Sequence, residues 1–138
     1  MSFDIYLRCF QHGAPGGLSR DRVRALFPVD ETESRRDHWV LRYDEHNTCS
    51  MSVVACASDT TLIESIAVSR PCKEIGLWNA LLEVMRMAPI VLYFPGDRPP
   101  LVADASVCEH LPRDMIKALG SPRVVESGQD IVAALGLA

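Results

Sequence analysis

Four histidines, five cysteines and eighteen carboxylates are spread over 138 residues. Metal binding by such side chains asks for ligands three or four positions apart on a helix, or for C-x-x-C pairs. His12, His38, His46 and His110 stand far from one another. His12 and His46 each lie three residues from a cysteine, Cys9 and Cys49, but in strand and turn sequence rather than in a helical ligand pattern. Cys9, Cys49, Cys56, Cys72 and Cys108 form no C-x-x-C pair. The spacing therefore predicts no metal, no cofactor and no catalytic set, and points to a chain whose product is a surface.

A few isolated positions invite chemistry, each beside a plainer reading. Asp30, Glu31 and Glu33 form an acidic loop, extended in sequence by Asp44 and Glu45. They read as a patch that engages basic side chains of a protein partner and steers association, or as a solvated loop partly cancelled by Arg35-Arg36. Cys72, between Arg70 and Lys73 at a helix start, has the setting of an activated thiol, or is a small apolar residue in a capping region. Asp97 and Asp104 follow a buried strand, where ligand sites gather; a Gly-Asp turn explains Asp97 equally well. Gly13-Ala14-Pro15-Gly16-Gly17 fits neither phosphate-loop pattern and reads as a turn. His38 and His110 have no partner in sequence. Tyr6, Phe10, Trp39 and Tyr43 become interface anchors if they lie on an open sheet face, and core residues otherwise.

The elements that must position these residues follow from periodicity. Phe3 to Phe10 alternates in period two and predicts a strand. Ser19 caps a short helix carrying Val23, Leu26 and Phe27, ended by Pro28. Residues 29–37 read as an exposed loop. Strands follow at 39–43 and 49–56, joined by the turn Asp44-Glu45-His46-Asn47, then at 62–68. Pro71 opens the longest helix, with Ile75, Trp78, Leu81, Leu82 and Met85 on one stripe and Pro89 as its stop. Ile90–Phe94 suits a strand covered on both faces. A helix at 111–120, a short strand at 124–125 and a last helix capped by Ser127 with Asp130 complete the order. The expected fold is one α+β domain over 1–138. It has a mostly antiparallel sheet of about five to six strands covered by a long helix, with shorter helices in the N- and C-terminal parts.

The totals narrow the class. A net charge of −4 and a pI near 5.5 disfavour nucleic acid and anionic membranes as partners. The opening MSFDIYLRCF is not a signal-peptide pattern, because Asp4 and Arg8 interrupt the apolar run. No window approaches the length of a membrane-spanning helix. A cytoplasmic protein with reduced cysteines is the expectation.

Met1–Leu7, Arg70-Pro71-Cys72 leading into Leu77-Trp78, and Val91–Gly96 together form a recognisable set of strings. With Leu101–Asp104 and Leu111–Met115 they resemble a group of small bacterial proteins, over most of the chain except 29–37. Proteins of this type resemble immunity partners of polymorphic or contact-delivered toxins. The resemblance implies a non-enzymatic protein that binds one cognate toxin and occludes its active site. Asp30, Glu31, Glu33, Asp44 and Glu45 are then the partner-binding residues. The alternative is a small enzyme or ligand-binding domain using the 94–104 loop.

Overall fold

A computed structural model describes residues 3–94 and 98–136. The alternation near the N-terminus forms β1 (Asp4–Gln11), with Ile5, Leu7 and Cys9 buried on one face and Tyr6 and Arg8 on the other. Its end folds back through His12 and Gly13, both at positive φ (51° and 84°), into β2 (Ala14–Pro15). β3 (Leu18–Ser19) runs into α1 (Arg20–Arg24), whose first turn is capped by the Ser19 hydroxyl accepting from the Arg22 amide. β4 (His38–Arg42), β5 (Thr48–Ala55) and β6 (Leu62–Ser69) form the expected meander. α2 (Ile75–Met85) and β7 (Ile90–Tyr93) follow. The rest is β8 (Leu101–Val102), a 3-10 turn (Ala105–His110), α3 (Arg113–Leu119), β9 (Arg123–Val124) and α4 (Gly128–Ala134).

The strands form one sheet in the order β4-β5-β6-β1-β7-β8-β9, with β2 attached to β1 and β3 to β6. All pairings are antiparallel except β8 with β9. The α+β class is as expected, but the count and the cover are not. The sheet has nine strands, not five or six. Four of them are two residues long, and so short a pair carries no periodicity to read. Among the described residues there is also no long covering helix. The chain leaves β6 through Arg70 at a positive φ of 50°. It does not become helical until Glu74, whose carboxylate accepts from the Gly76 amide and caps α2. Pro71 therefore lies in the linker rather than in the helix. At 11 residues, α2 is about 16 Å long.

Short as it is, α2 has seven residues buried, from Leu77 to Met85. They share one apolar cluster with Ile5, Leu7, Ile66, Val68, Met51 and Trp39 of the sheet, Val23 and Phe27 at α1, and Ile131 and Leu135 at α4. The other face is covered only at one end. There Phe10, Val91 and Val102 join Val107 and Leu111 of the 3-10 segment, with Met115 and Ile116 of α3 packed beside them. Among the described residues no helix is long and apolar enough to cross a membrane.

α4 approaches α2 closely. A Cβ built on Gly128 would stand 2.8 Å from the Asn79 amide nitrogen and 2.9 Å from the Trp78 carbonyl carbon. Helix propensity alone predicts that Gly128→Ala stabilises. The backbone contact reverses the sign, and we expect a loss of about 1–3 kcal/mol in urea unfolding. Trp78, 1% exposed, should cost about 3–5 kcal/mol on truncation to Ala. A gain for Gly128→Ala would show that the two helices are not held at this distance.

Candidate functional site

The uncovered part of the second face is built from alternate residues of neighbouring strands. Cross-strand register sets Val54, Ser65, Arg8 and Val91 in one row and Ser52, Ala67, Tyr6 and Tyr93 in the next. Ser50 and Ser69 with Asp4 make a third, and His38 and Val40 extend the last two rows onto β4. On the central strand β6 this face carries only Ser65, Ala67 and Ser69, so the surface dips there between larger neighbours. The result is a hollow of about 340 Å³, lined by Tyr6, Arg8, Ser52, Val54, Ser65, Ala67 and Tyr93. Tyr6 and Tyr93 stack at 5.5 Å between centroids and 26° between planes. The Arg8 guanidinium lies 5.2 Å from the centre of the Phe10 ring. The His38 ring is 3.1 Å from the Ser52 hydroxyl, and Val54 is 53% exposed.

The acidic residues have a different setting. Residues 28–34 run along the outer edge of β4. The Asp30 amide donates to the Val40 carbonyl at 2.8 Å, and the Arg42 amide to Pro28 at 3.0 Å. The Ser34 hydroxyl accepts from the Val40 amide at 2.9 Å. Asp30 takes hydrogen bonds from the Thr32 amide and hydroxyl, at 3.0 and 2.7 Å, and from Arg42 Nε at 3.1 Å. Thr32 first, then Arg42, holds its carboxyl below the usual carboxylate range. Glu33 lies 3.6 Å from the same guanidinium, and Glu31 pairs with Arg24 at 2.6 Å. Asp44 closes the β4–β5 turn, accepting from the His46 and Asn47 amides and the Asn47 side chain. Glu45 beside it is exposed. The loop is therefore an alternation of both charges that seals a sheet edge, and Asp44 belongs to a separate turn.

The remaining candidates resolve into structure. Cys72 packs against the core beside Cys49, whose thiol burial pushes up to about 12. Gly13 and Gly16 spend their amides on the His110 and Cys9 carbonyls, so the glycine-rich turn offers neither to a phosphate. Trp39 is fully buried, Phe10 belongs to the second cluster, and Tyr43 packs on the main core. Tyr6 alone of the four aromatics faces the open half. Asp97 lies outside the described residues.

Asp104 borders a cleft of about 370 Å³ that also holds Arg86, Ser106 and His110. The spacing gave no sign that an Asp, a Ser and a His would meet there. These residue types serve nucleophilic catalysis when wired in series, but the wiring differs here. Asp104 accepts from the Ser106 amide at 2.8 Å, capping the 3-10 turn. His110 Nδ1 accepts from the His12 amide at 3.1 Å. A backbone N–H can only donate, so the neutral imidazole carries its proton on Nε2 and has no lone pair left for a hydroxyl proton. The hollow at Ser65 and Ala67 was missed as well. Its only signal in sequence is the small residues alternating with Ile66 and Val68 on β6.

No family model, curated protein or solved structure matches the chain, so the resemblance stands on the quoted strings alone.

Burial raises Cys9 from 9.0 to about 11 and Cys49 from 9.0 to about 12. The folded chain thus keeps protons that the unfolded chain releases above pH 9. Stability from these thiols is complete below pH 9 and is lost as pH climbs through the folded values. Thermal midpoints should be steady near neutrality and fall across this alkaline window, with a shallower fall in Cys49→Ala. A flat profile in both proteins through the window would contradict the burial assignment.

Proposed function

We propose that this chain is an immunity-type binding protein, one molecule covering the active site of one cognate toxin domain. The observation that carries the reading is the open half of the sheet. Its stacked tyrosines, half-buried arginine and exposed Val54 have the composition of a protein interface, where Tyr and Arg are enriched. The resemblance of the sequence strings supplies the kind of partner. Four strands at ordinary spacing offer a face of roughly 400 Å², about half of what one side of a standard interface buries. The remainder comes from the rim. Along β4 that rim is the Asp30, Glu31 and Glu33 loop and the Asp44-Glu45 turn, which gives these acids a steering and bordering role.

The alternative, a small-ligand site in the 94–104 segment, has the cleft beside Asp104 in its favour. It is the weaker reading because the Asp104 carboxylate and His110 Nδ1 are already engaged by backbone amides.

Expression of the gene immediately upstream, with and without this chain, tests the proposal by growth. We expect toxicity that this chain relieves, and relief that Val54→Arg abolishes. Charge reversal at Glu31 and Glu33 should weaken binding while changing folding stability by no more than about 1 kcal/mol, the scale of exposed ion pairs. A harmless neighbour, or toxicity that persists, sinks the reading.

A further inference from the structure

Three arginines among the described residues are half-buried rather than exposed: Arg8, Arg20 and Arg24. Arg20 pairs with Asp37 and Arg24 with Glu31, at 2.9 and 2.6 Å. Among the described residues Arg8 forms no ion pair, although Asp4 lies four residues before it on the same strand face. Its guanidinium leans on the Phe10 ring and borders the hollow between Tyr6, Tyr93, Ser65 and Ala67. Partial burial weakens the hydration of a charge, and a ring face offsets little of that loss. A planar fork of N–H donors at an open hollow matches a carboxylate, which it can take with two parallel hydrogen bonds.

We infer that an Asp or Glu side chain of the protein partner enters the hollow of the open face and pairs with Arg8. The inference rests on the open-face reading of the preceding subsection and adds the sign of the charge. The acids of the 29–37 loop are matched by Arg20, Arg24 and Arg42, whereas the charge lining the hollow is Arg8, Asp4 on the same face lying outside the lining. The hydroxyls of Ser52 and Ser65 and the two phenols suit a polar anchor, since each offers a donor at the border of the hollow. The tyrosine rings shield the pair from water, which strengthens it.

Isotope-labelled protein titrated with short acetylated peptides tests this directly. One peptide alternates glycine with aspartate, and a second carries lysine in place of aspartate. The aspartate peptide should shift the backbone amide signals of Tyr6 to Arg8 and of Ser65 to Ala67. Arg8→Gln should weaken that binding about tenfold, the size of one charge-assisted hydrogen bond. Arg8→Lys keeps the charge without the fork and should fall between the two, and it serves if the Gln variant folds poorly. Equal binding of both peptides, or binding of the lysine peptide alone, overturns the charge assignment while the face remains a binding face. No shift on this face with either peptide also overturns it, and the Val54→Arg growth result then decides the open-face reading on its own.

Discussion

Burial of one face of β1, β5 and β6 against α2 is the contact on which the rest of the molecule depends. Ile5, Leu7, Met51, Val53, Ile66 and Val68 lie in one cluster with Leu77, Trp78 and Leu81. An eight-residue strand such as β5 is about 27 Å long, whereas α2 is little more than half that. The sheet is wider and longer than the helices that can be laid on it. α1, α2 and α4 are all spent on the first face. Among the described residues only the 3-10 turn and α3 remain for the second, and they reach no further than β1, β7 and β8. The uncovered half must then be tolerable to water. Ser50, Ser52, Ser65, Ala67 and Ser69 meet that condition, since large apolar side chains there would make an adhesive patch. The same economy of size at β6 leaves the hollow.

An open face has two edges to manage as well. β4 ends the sheet on one side, and an unpaired edge invites another chain. The 28–34 segment occupies it through backbone and Ser34 hydrogen bonds, and Arg42 draws Asp30 and Glu33 onto the rim. Arg20 fastens this cover from the other end. It donates to the Thr60 and Arg36 carbonyls and to Asp37, tying α1 to the segment before β4 and to the β5–β6 turn. The acids that look like a partner patch in sequence have their first role here. Their charge is answered by arginines from α1 and β4, which the composition of residues 29–37 does not display.

What was legible in the sequence is what repeats. β1, β4, β5 and β6 follow from alternation, and β7 from an apolar run. The Ser127 cap was legible too, because its hydroxyl accepts from the Asp130 amide three residues on. Asp130 is a carbon shorter than Glu and returns its carboxylate to the Glu126 amide instead of the cap's own. Of the two-residue strands, β2, β3 and β8 were hidden because backbone pairing alone defines them, whereas β9 lies at the short strand expected at 124–125, one residue earlier. The start of α2 was hidden because Pro71 is acceptable both in a first helical turn and in an extended linker. Which face stays open was hidden for another reason: it is decided by the total of helix available, a property of the whole chain that no window displays.

The open half is also unusually fixed for a surface. The phenol of Tyr6 is stacked on Tyr93, Arg8 is seated on Phe10, and Phe10 is itself anchored in the second cluster under Val107 and Leu111. His38 and Ser52 restrain each other across β4 and β5. Side chains already confined in the free protein lose little freedom when a partner arrives, and that loss is a main cost of association. The two packed layers therefore do more than support the sheet. The main core fixes the strand register that sets Tyr6 opposite Tyr93, and the small second core fixes the ring on which Arg8 rests. Leu111 and Val107, outside the lining of the hollow, thus set the position of Arg8 through Phe10.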